Sequence, residues 1–257
     1  MKTTNRILGI TLAIILMALI AVLVFIRTQI SHDMVRVEGR GEVKSELRDM
    51  AAFSRVSVSG NIILHLEQED TRQVEVRAAE NILELVIAEV ENGKLNLYLD
   101  RPVMRHDRVE VHISTPELEE LDVSRGAQAY AENPLMVEHL SHTLQAGAKS
   151  ELNLQVSFLD LKAQAGAVST LQGSAGRMNI SSTAGAIIYA GKLVVENCEI
   201  EASAGSLNYL HVTESLSGRS RYGALVHIEG NPDMRNYQSR HEVEYEVTED
   251  GYSATYR

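Results

Sequence analysis

Two different patterns organise the apolar positions of this chain. Residues 7–26 form an uncharged, almost wholly apolar run, ILGITLAIILMALIAVLVFI. From Phe53 onward, apolar and polar residues alternate, as in Arg55-Val56-Ser57-Val58, and this alternation is typical of strands that are buried on one side. Glu80–Ile87 breaks the alternation and predicts a short helix. The pattern therefore predicts an apolar span followed by a β-rich body.

The apolar run predicts a helix that crosses a membrane. At about 1.5 Å per residue it extends about 30 Å, which matches the hydrocarbon layer of a bilayer. Lys2 and Arg6 precede it, as expected for a cytoplasmic N-terminus, and Arg27 follows it. The run is longer than the h-region of a cleaved signal peptide, and no small-x-small cleavage site follows it. We therefore expect residues 7–26 to be an uncleaved signal anchor in the inner cell membrane. Residues 1–6 are then cytoplasmic, and the body is periplasmic or extracellular.

The second half of the chain carries an internal repeat that is marked by glycine. Six segments align on a glycine that is followed by alanine or serine, with separations of 21, 19, 19, 20 and 18 residues. A period of about 20 residues with short strand-like fragments is typical of a β-solenoid, in which each repeat forms one coil. Glycine permits a positive φ at a corner, and the small residue after it is expected to let adjacent corners approach closely. The predicted corners are Gly126, Gly147, Gly166, Gly185, Gly205 and Gly223.

The predicted fold class is therefore all-β. It is a single-stranded parallel β-solenoid, similar to a β-helix, preceded by one N-terminal transmembrane helix. Residues 27–41 are predicted to be a polar linker, and residues 42–118 an N-terminal β-rich part with one short helix near 80–87. Residues 119–230 are the predicted repeats. Residues 231–257 contain four of the nine tyrosines and are expected to cap the last coil against further strand pairing.

Composition and charge narrow the possible functions. The net charge is -11, and the body after residue 27 is still more acidic because three basic residues lie before it. Such a body repels phosphate backbones, so we expect no nucleic-acid partner. Aromatic residues make up only 5% of the chain, which disfavours an aromatic-lined site for sugars or bases. The single cysteine, Cys198, can form neither an intrachain disulfide nor a usual structural zinc site, and is expected to be a small buried residue.

Candidate metal ligands have ordinary structural interpretations. His139 and His142 would share a metal ion on a helix, but in a β-rich repeat they point to opposite faces. An acidic group near residue 120 is compatible with calcium, yet the Gly-Gly-x-Gly-x-Asp repeat of calcium-binding solenoids is missing. We therefore expect no metal and no cofactor. The members of the acidic group are Glu117, Glu119, Glu120 and Asp122.

Candidate catalytic groups are also scattered. Some β-helices carry polysaccharide-cleaving sites, but here four carboxylates are spread over the repeats without a cluster, so no catalytic residue is assigned. Asn179-Ile180-Ser181 matches a glycosylation acceptor by pattern only. The four scattered carboxylates are Asp160, Glu196, Glu199 and Glu201.

The chain resembles a known family over about residues 41–245. The likeness lies in Arg48, in Phe53 followed by Val56-Ser57-Val58-Ser59-Gly60, in VEVRAAENILELVIAEVENGKLNLYL at 74–99, and in the glycine-punctuated repeats. These features resemble the putative auto-transporter adhesin family with a head GIN domain, found in Bacteroidetes envelopes. The resemblance implies a secreted or membrane-anchored β-solenoid domain without established catalytic residues. The chain departs from the family in having mostly Ala-Gly-Ala corners instead of Ser-Gly-rich ones.

The expected function is a non-enzymatic one. We expect an adhesin-like or structural binding module of the bacterial cell envelope, which meets an unknown envelope protein or glycan through strand ladders and corners. The alternative is an envelope carbohydrate-active enzyme on a β-helix scaffold. That alternative requires carboxylates about 5–10 Å apart in a groove, whereas a flat ladder favours binding. A signalling role is disfavoured because the predicted cytoplasmic segment has only about six residues.

Overall fold

The structure is a computed structural model of the 257-residue chain. It describes residues 17, 18, 20, 36–104 and 106–239, and the backbone of 243–248 and 251–256. Apart from the helical residues 17, 18 and 20, the predicted anchor lies outside the described residues, as do residues 1–6 and 27–35. Within the described part of the chain, no helix has both the length and the apolar character needed to cross a membrane.

The N-terminal part mixes parallel and antiparallel pairings. Its elements are β1 (Val43–Arg48), β2 (Arg55–Ser59), β3 (Ile62–Gln68), β4 (Gln73–Ala79), α1 (Glu80–Leu83), β5 (Val86–Glu91), β6 (Lys94–Leu99) and β7 (Val109–Thr115). The helix is shorter than the predicted one because Val86 and Ile87 belong to β5, which pairs antiparallel with β6. Strand β1 pairs antiparallel with β4, which pairs antiparallel with β7. Strands β2 and β3 instead pair in parallel with the repeats.

The repeats form a parallel β-solenoid, which confirms the predicted all-β fold class, with about 6 turns. Each of the strands β9 to β13 pairs in parallel with the next. Along the register, Gln128 pairs with Lys149 and Lys149 with Val168, so one coil corresponds to one repeat. The strands are β8 (Glu120–Ser124), β9 (Gln128–Gln145), β10 (Lys149–Ala163), β11 (Val168–Ser182), β12 (Ile187–Ala202), β13 (Leu207–Ser220), β14 (Leu225–Glu229) and β15 (Asp233–Ser239).

A C-terminal hairpin lies beside the last coil. It consists of β16 (Val243–Thr248) and β17 (Gly251–Tyr256), which pair antiparallel. Gly251 in β17 pairs with Glu229 in β14. Strand β14 also pairs in parallel with β13, so the hairpin meets the side of β14 that faces away from the preceding coil.

Each glycine corner is a two-residue left-handed turn. The glycines have φ values from 71° to 81°, and the residues before them have φ values from 51° to 54°. Positive φ at both central residues characterises a type I′ turn. Successive corners are joined by hydrogen bonds, for example from Gly166 N to Ala184 O (3.1 Å) and from Gly185 N to Ala204 O (3.1 Å). The corners therefore stack from coil to coil.

The corner glycines are required for conformation and not for space. A Cβ atom added at any of the six would meet nothing within 4 Å. The small residues after them, such as Ala148 and Ala167, are fully buried and fill the narrow interior. Close backbone approach occurs at other glycines, where an added Cβ would lie 2.0 to 2.1 Å from a carbonyl oxygen of the preceding coil. These are Gly173, Gly218 and Gly230.

The core is built from aliphatic side chains. Buried Val, Leu, Ile and Ala dominate it, and among the described residues Phe53 is the one buried aromatic side chain. Inward and outward positions alternate in the first and last parts of the repeat strands, as in β12, where Ile188 and Ala190 are buried and Tyr189 is exposed. The described aromatic side chains other than Phe53 therefore lie at or near the surface.

Candidate binding surface

One side of the solenoid presents a continuous sheet, which we call the ladder face. Strands β1, β4, β7 and β3 lead into it, and the first parts of β9 to β13 continue it to β14. The last parts of β9 to β13 turn to the other side, together with β2, β6, β8 and β15, and form what we call the polar face.

A row of aligned outward residues runs along the ladder face. The strand register pairs His65 with both His112 and Tyr130. From Tyr130 onward, the residue at this position in each coil pairs with the residue at the same position in the next coil. Adjacent strands lie about 4.8 Å apart, so the row extends about 34 Å. In order, the row is His112, His65, Tyr130, Glu151, Thr170, Tyr189, Tyr209 and His227.

The rings of this row form two stacks. The centroids of His65 and His112 are 4.6 Å apart, and those of His65 and Tyr130 are 5.7 Å apart. In the second stack, Tyr189 and Tyr209 are 5.4 Å apart, and Tyr209 and His227 are 4.7 Å apart. The interplanar angles are 9° to 23°, so neighbouring rings cover each other's faces. The stacks therefore present ring edges to a partner.

A slot separates the two stacks. Glu151 and Thr170 occupy the two coils between Tyr130 and Tyr189, so one face of each tyrosine ring is free of a stacked ring among the described residues. The two tyrosines are three strand spacings apart, or about 14 Å. The depression at the Tyr130 side of this slot is also lined by Glu132 and Gln172.

The charges on the ladder face are mainly carboxylates. Burial, helped by the neighbouring His112, lowers the pKa of His65, although the carboxylates of Glu110 and two other glutamates act in the opposite direction. Burial also lowers the pKa of His227. Burial and the Glu151 carboxylate raise the pKa of Tyr130. At neutral pH these three rings are therefore uncharged, and the face is acidic.

The two halves of the ladder face differ in character. Beside the second ring stack, an aligned and partly exposed apolar row consists of Val168, Ile187, Leu207 and Leu225. At the same positions in the first half stand Glu110, Ile63, Gln128 and Lys149. One half thus offers apolar contact, and the other offers charged and hydrogen-bonding groups.

On the polar face, side chains of adjacent coils form hydrogen bonds and salt bridges with one another. Asn179 Nδ2 donates to Asp160 Oδ1 (3.1 Å), and Gln164 Nε2 donates to Gln145 Oε1 (3.0 Å) in the neighbouring coil. Arg219 forms a salt bridge with Glu201 (2.8 Å). These contacts join residues at the same position in adjacent coils, so this face is a flat ladder of mutually satisfied side chains.

The acidic group near residue 120 has a structural role, because its members form ion pairs and a hydrogen bond with neighbouring strands. Lys94 Nζ lies 2.7 Å from Glu120 Oε1 and 2.5 Å from Asp122 Oδ2. Glu119 accepts a hydrogen bond from the Ser54 hydroxyl (2.9 Å). These contacts hold strand β8 against β2 and β6, since Lys94 begins β6 and Ser54 precedes β2. Within the described residues, no group of three or more His, Cys, Asp or Glu side chains is arranged to hold a metal ion.

The four scattered carboxylates are not brought together in a groove. Asp160 and Glu199 share one outward row of the polar face but are separated by Asn179, and Asp160 accepts a hydrogen bond from that residue. Glu201 is paired with Arg219 on the same face. Glu196 lies elsewhere, beside Met136 and Val194. Glycoside hydrolysis needs two carboxyl groups that converge on one bond, and these four do not converge on a common point.

The two histidines considered as metal ligands lie in different environments on opposite faces of strand β9. His139 is exposed and lies 3.4 Å from Asp160, whereas His142 is completely buried and not solvated. Its Nδ1 lies 2.8 Å from Leu121 O, and its Nε2 lies 3.0 Å from Ser150 Oγ. A carbonyl oxygen can only accept, so Nδ1 donates and Nε2 accepts from the serine hydroxyl. Burial lowers the pKa of His142 to about 4.

Two further sequence candidates have structural roles. Cys198 is buried, as predicted, and burial raises the pKa of its thiol to about 12. It is therefore a thiol that packs in the core. Asn179 of the glycosylation pattern is half-buried, and its amide is used in the ladder of the polar face.

Sequence reasoning missed the ring row. The signal was present, because each of its last six members lies four residues after a corner glycine, as Tyr130 follows Gly126 and Tyr189 follows Gly185. Alignment on the glycines therefore brings this column together. The low overall aromatic content disfavoured an aromatic-lined site for sugars or bases and gave no sign that six rings share one row.

The fold and its faces define a β-solenoid domain with an extended surface ladder. The family described as putative auto-transporter adhesin, head GIN domain, matches residues 52–232, and the chain belongs to this family. A comparison with curated proteins gives no significant match.

Solved structures share the fold. A putative adhesin from Bacteroides fragilis is 18% identical with a TM-score of 0.71, and the match covers 79% of this chain and 95% of that one. A putative lipid binding protein from Parabacteroides distasonis is 16% identical with a TM-score of 0.61, over 79% and 95% of the two chains. A putative adhesin from Parabacteroides merdae is 18% identical with a TM-score of 0.60, over 80% and 95%. At these identities the likeness concerns the fold.

Proposed function

We propose that this protein is a non-enzymatic, adhesin-like binding module of the bacterial envelope that contacts its partner through the ladder face. The observation that carries the proposal is the row of two ring stacks along that face. Tyrosine side chains offer large contact area at low conformational cost and are enriched at protein interfaces. Family membership supports a binding role in general.

We also propose that residues 7–26 anchor the domain in the inner membrane, with the body outside the cytoplasm. The support is the sequence: the run is uncharged, long enough to cross a bilayer, and preceded by Lys2 and Arg6. Residues 27–41 then act as a polar tether. An anchored solenoid would lie outside the cytoplasm, where an envelope protein or glycan can reach it.

The binding role is tested with paired variants of the full chain on envelope fractions of the source bacterium. Tyr189→Ala with Tyr209→Ala removes most of the second stack. The matched control, Gln145→Ala with Gln164→Ala, removes an adjacent-coil pair from the polar face. We expect the tyrosine variant to lose at least about tenfold in retained protein, since contacts of interfacial tyrosines are often worth more than 1 kcal/mol. Equal retention of both variants would contradict the proposal, and release of reducing sugar ends would support the enzyme alternative.

The same preparations test the anchor. We expect the chain to remain with membranes after an alkaline carbonate wash, with its N-terminus intact, because a transmembrane helix is not extracted by such treatment. A mature N-terminus beyond residue 26, or complete release by the wash, would show that the run is a cleaved signal or a peripheral segment.

A further inference from the structure

We propose that the slot between the two ring stacks binds an arginine side chain from a basic segment of a partner protein. The inference rests on the proposed binding role and specifies its ligand. It starts from the geometry of the row. Because the ring planes lie across the solenoid axis, a group placed against the free face of Tyr130 lies above the next coil, where Glu151 occupies the row.

This arrangement suits a planar cation. A guanidinium group stacks on the face of a tyrosine ring and donates paired hydrogen bonds to a carboxylate. In the slot, Tyr130 supplies the ring face, Glu151 lies one strand spacing away at about 4.8 Å, and Thr170 adds a hydroxyl one coil further on. Glu132 and Gln172 line the same depression and offer further acceptors.

The local charge favours the same ligand. Glu67, Glu110 and Glu132 are close enough to His65 for their charges to act on its ring. Among the described residues, neither Glu132 nor Glu151 has a basic group within salt-bridge distance, although Lys149 lies two positions before Glu151 on the same strand. On the polar face, by contrast, the three acids Glu120, Asp122 and Glu201 are already paired with basic residues. A net charge of -11 also steers basic partners toward the protein.

A basic protein segment fits better than a neutral glycan. The faces of the inner rings in each stack are covered by their neighbours, so a sugar chain running along the row would meet ring edges. The free face of Tyr130 opens directly onto a carboxylate, which is an environment that favours positive charge. The apolar row of Val168, Ile187, Leu207 and Leu225 lies on the C-terminal side of the slot and would contact apolar residues that flank the arginine.

The test is fluorescence anisotropy of labelled hexa-arginine titrated with the full chain in detergent at low ionic strength. Hexa-lysine provides the same charge without a planar head group, and a glucosamine tetramer represents an amino sugar. We expect hexa-arginine to bind several-fold more tightly than hexa-lysine, and 0.5 M NaCl to weaken both. The variants are Glu151→Gln, which removes the carboxylate, Tyr130→Ala, which removes the ring, and Tyr130→Phe, which keeps the ring.

The matched control is Glu199→Gln, which makes the same charge change at an exposed residue of the polar face. We expect Glu151→Gln and Tyr130→Ala each to weaken hexa-arginine binding about three- to tenfold. Tyr130→Phe and Glu199→Gln should stay within about twofold of the original chain. Unchanged thermal unfolding of Glu151→Gln separates loss of binding from loss of fold.

Three results would overturn the inference. Equal affinity for the two peptides, together with equal effects of Glu151→Gln and Glu199→Gln, would show unspecific charge attraction. Lack of hexa-arginine binding would exclude the slot as an arginine site. Binding of the glucosamine tetramer alone, with sensitivity to Tyr130→Ala, would identify an amino sugar as the ligand. The last two results leave the envelope-binding test of the tyrosine stack unaffected, so the two proposals can fail separately.

Discussion

Two kinds of glycine stabilise the solenoid at the level of single residues. Gly166 stands at a corner with φ +71° and open space around its missing side chain. Gly173 lies within strand β11 with φ +109°, and a Cβ there would be 2.0 Å from Leu154 O. The first needs glycine for its backbone conformation, and the second needs it for both conformation and close approach.

The two glycines therefore predict an order of stability in urea unfolding. Gly166→Ala should lower the free energy of unfolding by about 1 to 2 kcal/mol, the cost of a left-handed L-residue. Gly173→Ala should cost more, because strain and overpacking each add about 1 to 3 kcal/mol. Ala165→Gly, at the left-handed position before Gly166, is the opposite change and should not destabilise the fold, because glycine relieves the strain of a left-handed alanine. The reverse order for the two alanine variants would show that corner conformation limits stability more than coil-to-coil contact.

His142 predicts how stability depends on pH. Its pKa is lowered from 6.5 to about 4 because the neutral ring is buried between Leu121 O and Ser150. The unfolded state therefore binds the proton more strongly, and the stability that the neutral ring confers is present above about pH 6.5. It is lost progressively as the pH falls to about 4, with a total effect of roughly 3 kcal/mol.

Urea unfolding at several pH values measures this effect. The original chain should lose more unfolding free energy between pH 6.5 and pH 4 than His142→Asn, which keeps a polar group but cannot titrate in this range. His65 and His227 also have lowered pKa values, but they are present in both proteins, so the difference isolates His142. Identical pH profiles for the two proteins would contradict the assignment.

The residue scale also shows where sequence reasoning succeeded and failed. Buried Leu140 and Leu144 flank His142 at alternating positions of strand β9, so its inward direction could be predicted from the pattern. Its hydrogen-bond donor, the Ser150 hydroxyl, comes from the next coil. That partner is set by the strand register, which a single sequence does not reveal.

At the scale of elements, the repeat could be predicted because glycine corners recur at nearly constant spacing. The short helix was predicted too long, since the apolar run Leu85-Val86-Ile87 fits a helix and a buried strand equally well. The structure resolves this in favour of β5, which pairs with β6 in a hairpin closed by Asn92 and Gly93, both with positive φ. Tertiary pairing, and not local preference, decides where α1 ends.

The ring row is also an element-scale feature. It arises because each coil adds one outward side chain at the same register position, so residues about 20 apart in sequence become neighbours. A composition with 5% aromatic residues hides this concentration. Four of the six stacked rings, in Tyr130, Tyr189, Tyr209 and His227, occupy one column of the repeat alignment, whereas His65 and His112 come from the irregular N-terminal part and have no equivalent spacing.

At the scale of the molecule, the two faces of the solenoid differ in how their side chains are paired. The polar face satisfies its own groups through contacts between adjacent coils, such as Thr183 with Ser203 (3.1 Å). The ladder face carries ring edges and an apolar row, together with Glu132 and Glu151, which have no basic partner within salt-bridge distance among the described residues. Surfaces that bind partners are enriched in aromatic residues, so the ladder face with its ring stacks is the better candidate.

The central claim is that the ladder face meets the partner, and hydroxyl-radical footprinting of the full chain bound to envelope fractions tests it most directly. Tyr189 is 43% exposed on the ladder face, and Tyr98 is 38% exposed outside it, so each serves as an internal reporter. We expect binding to protect Tyr189 and Tyr209 from oxidation at least about threefold while Tyr98 reacts as before. Protection of Tyr98 with unchanged oxidation of Tyr189 and Tyr209 would contradict it.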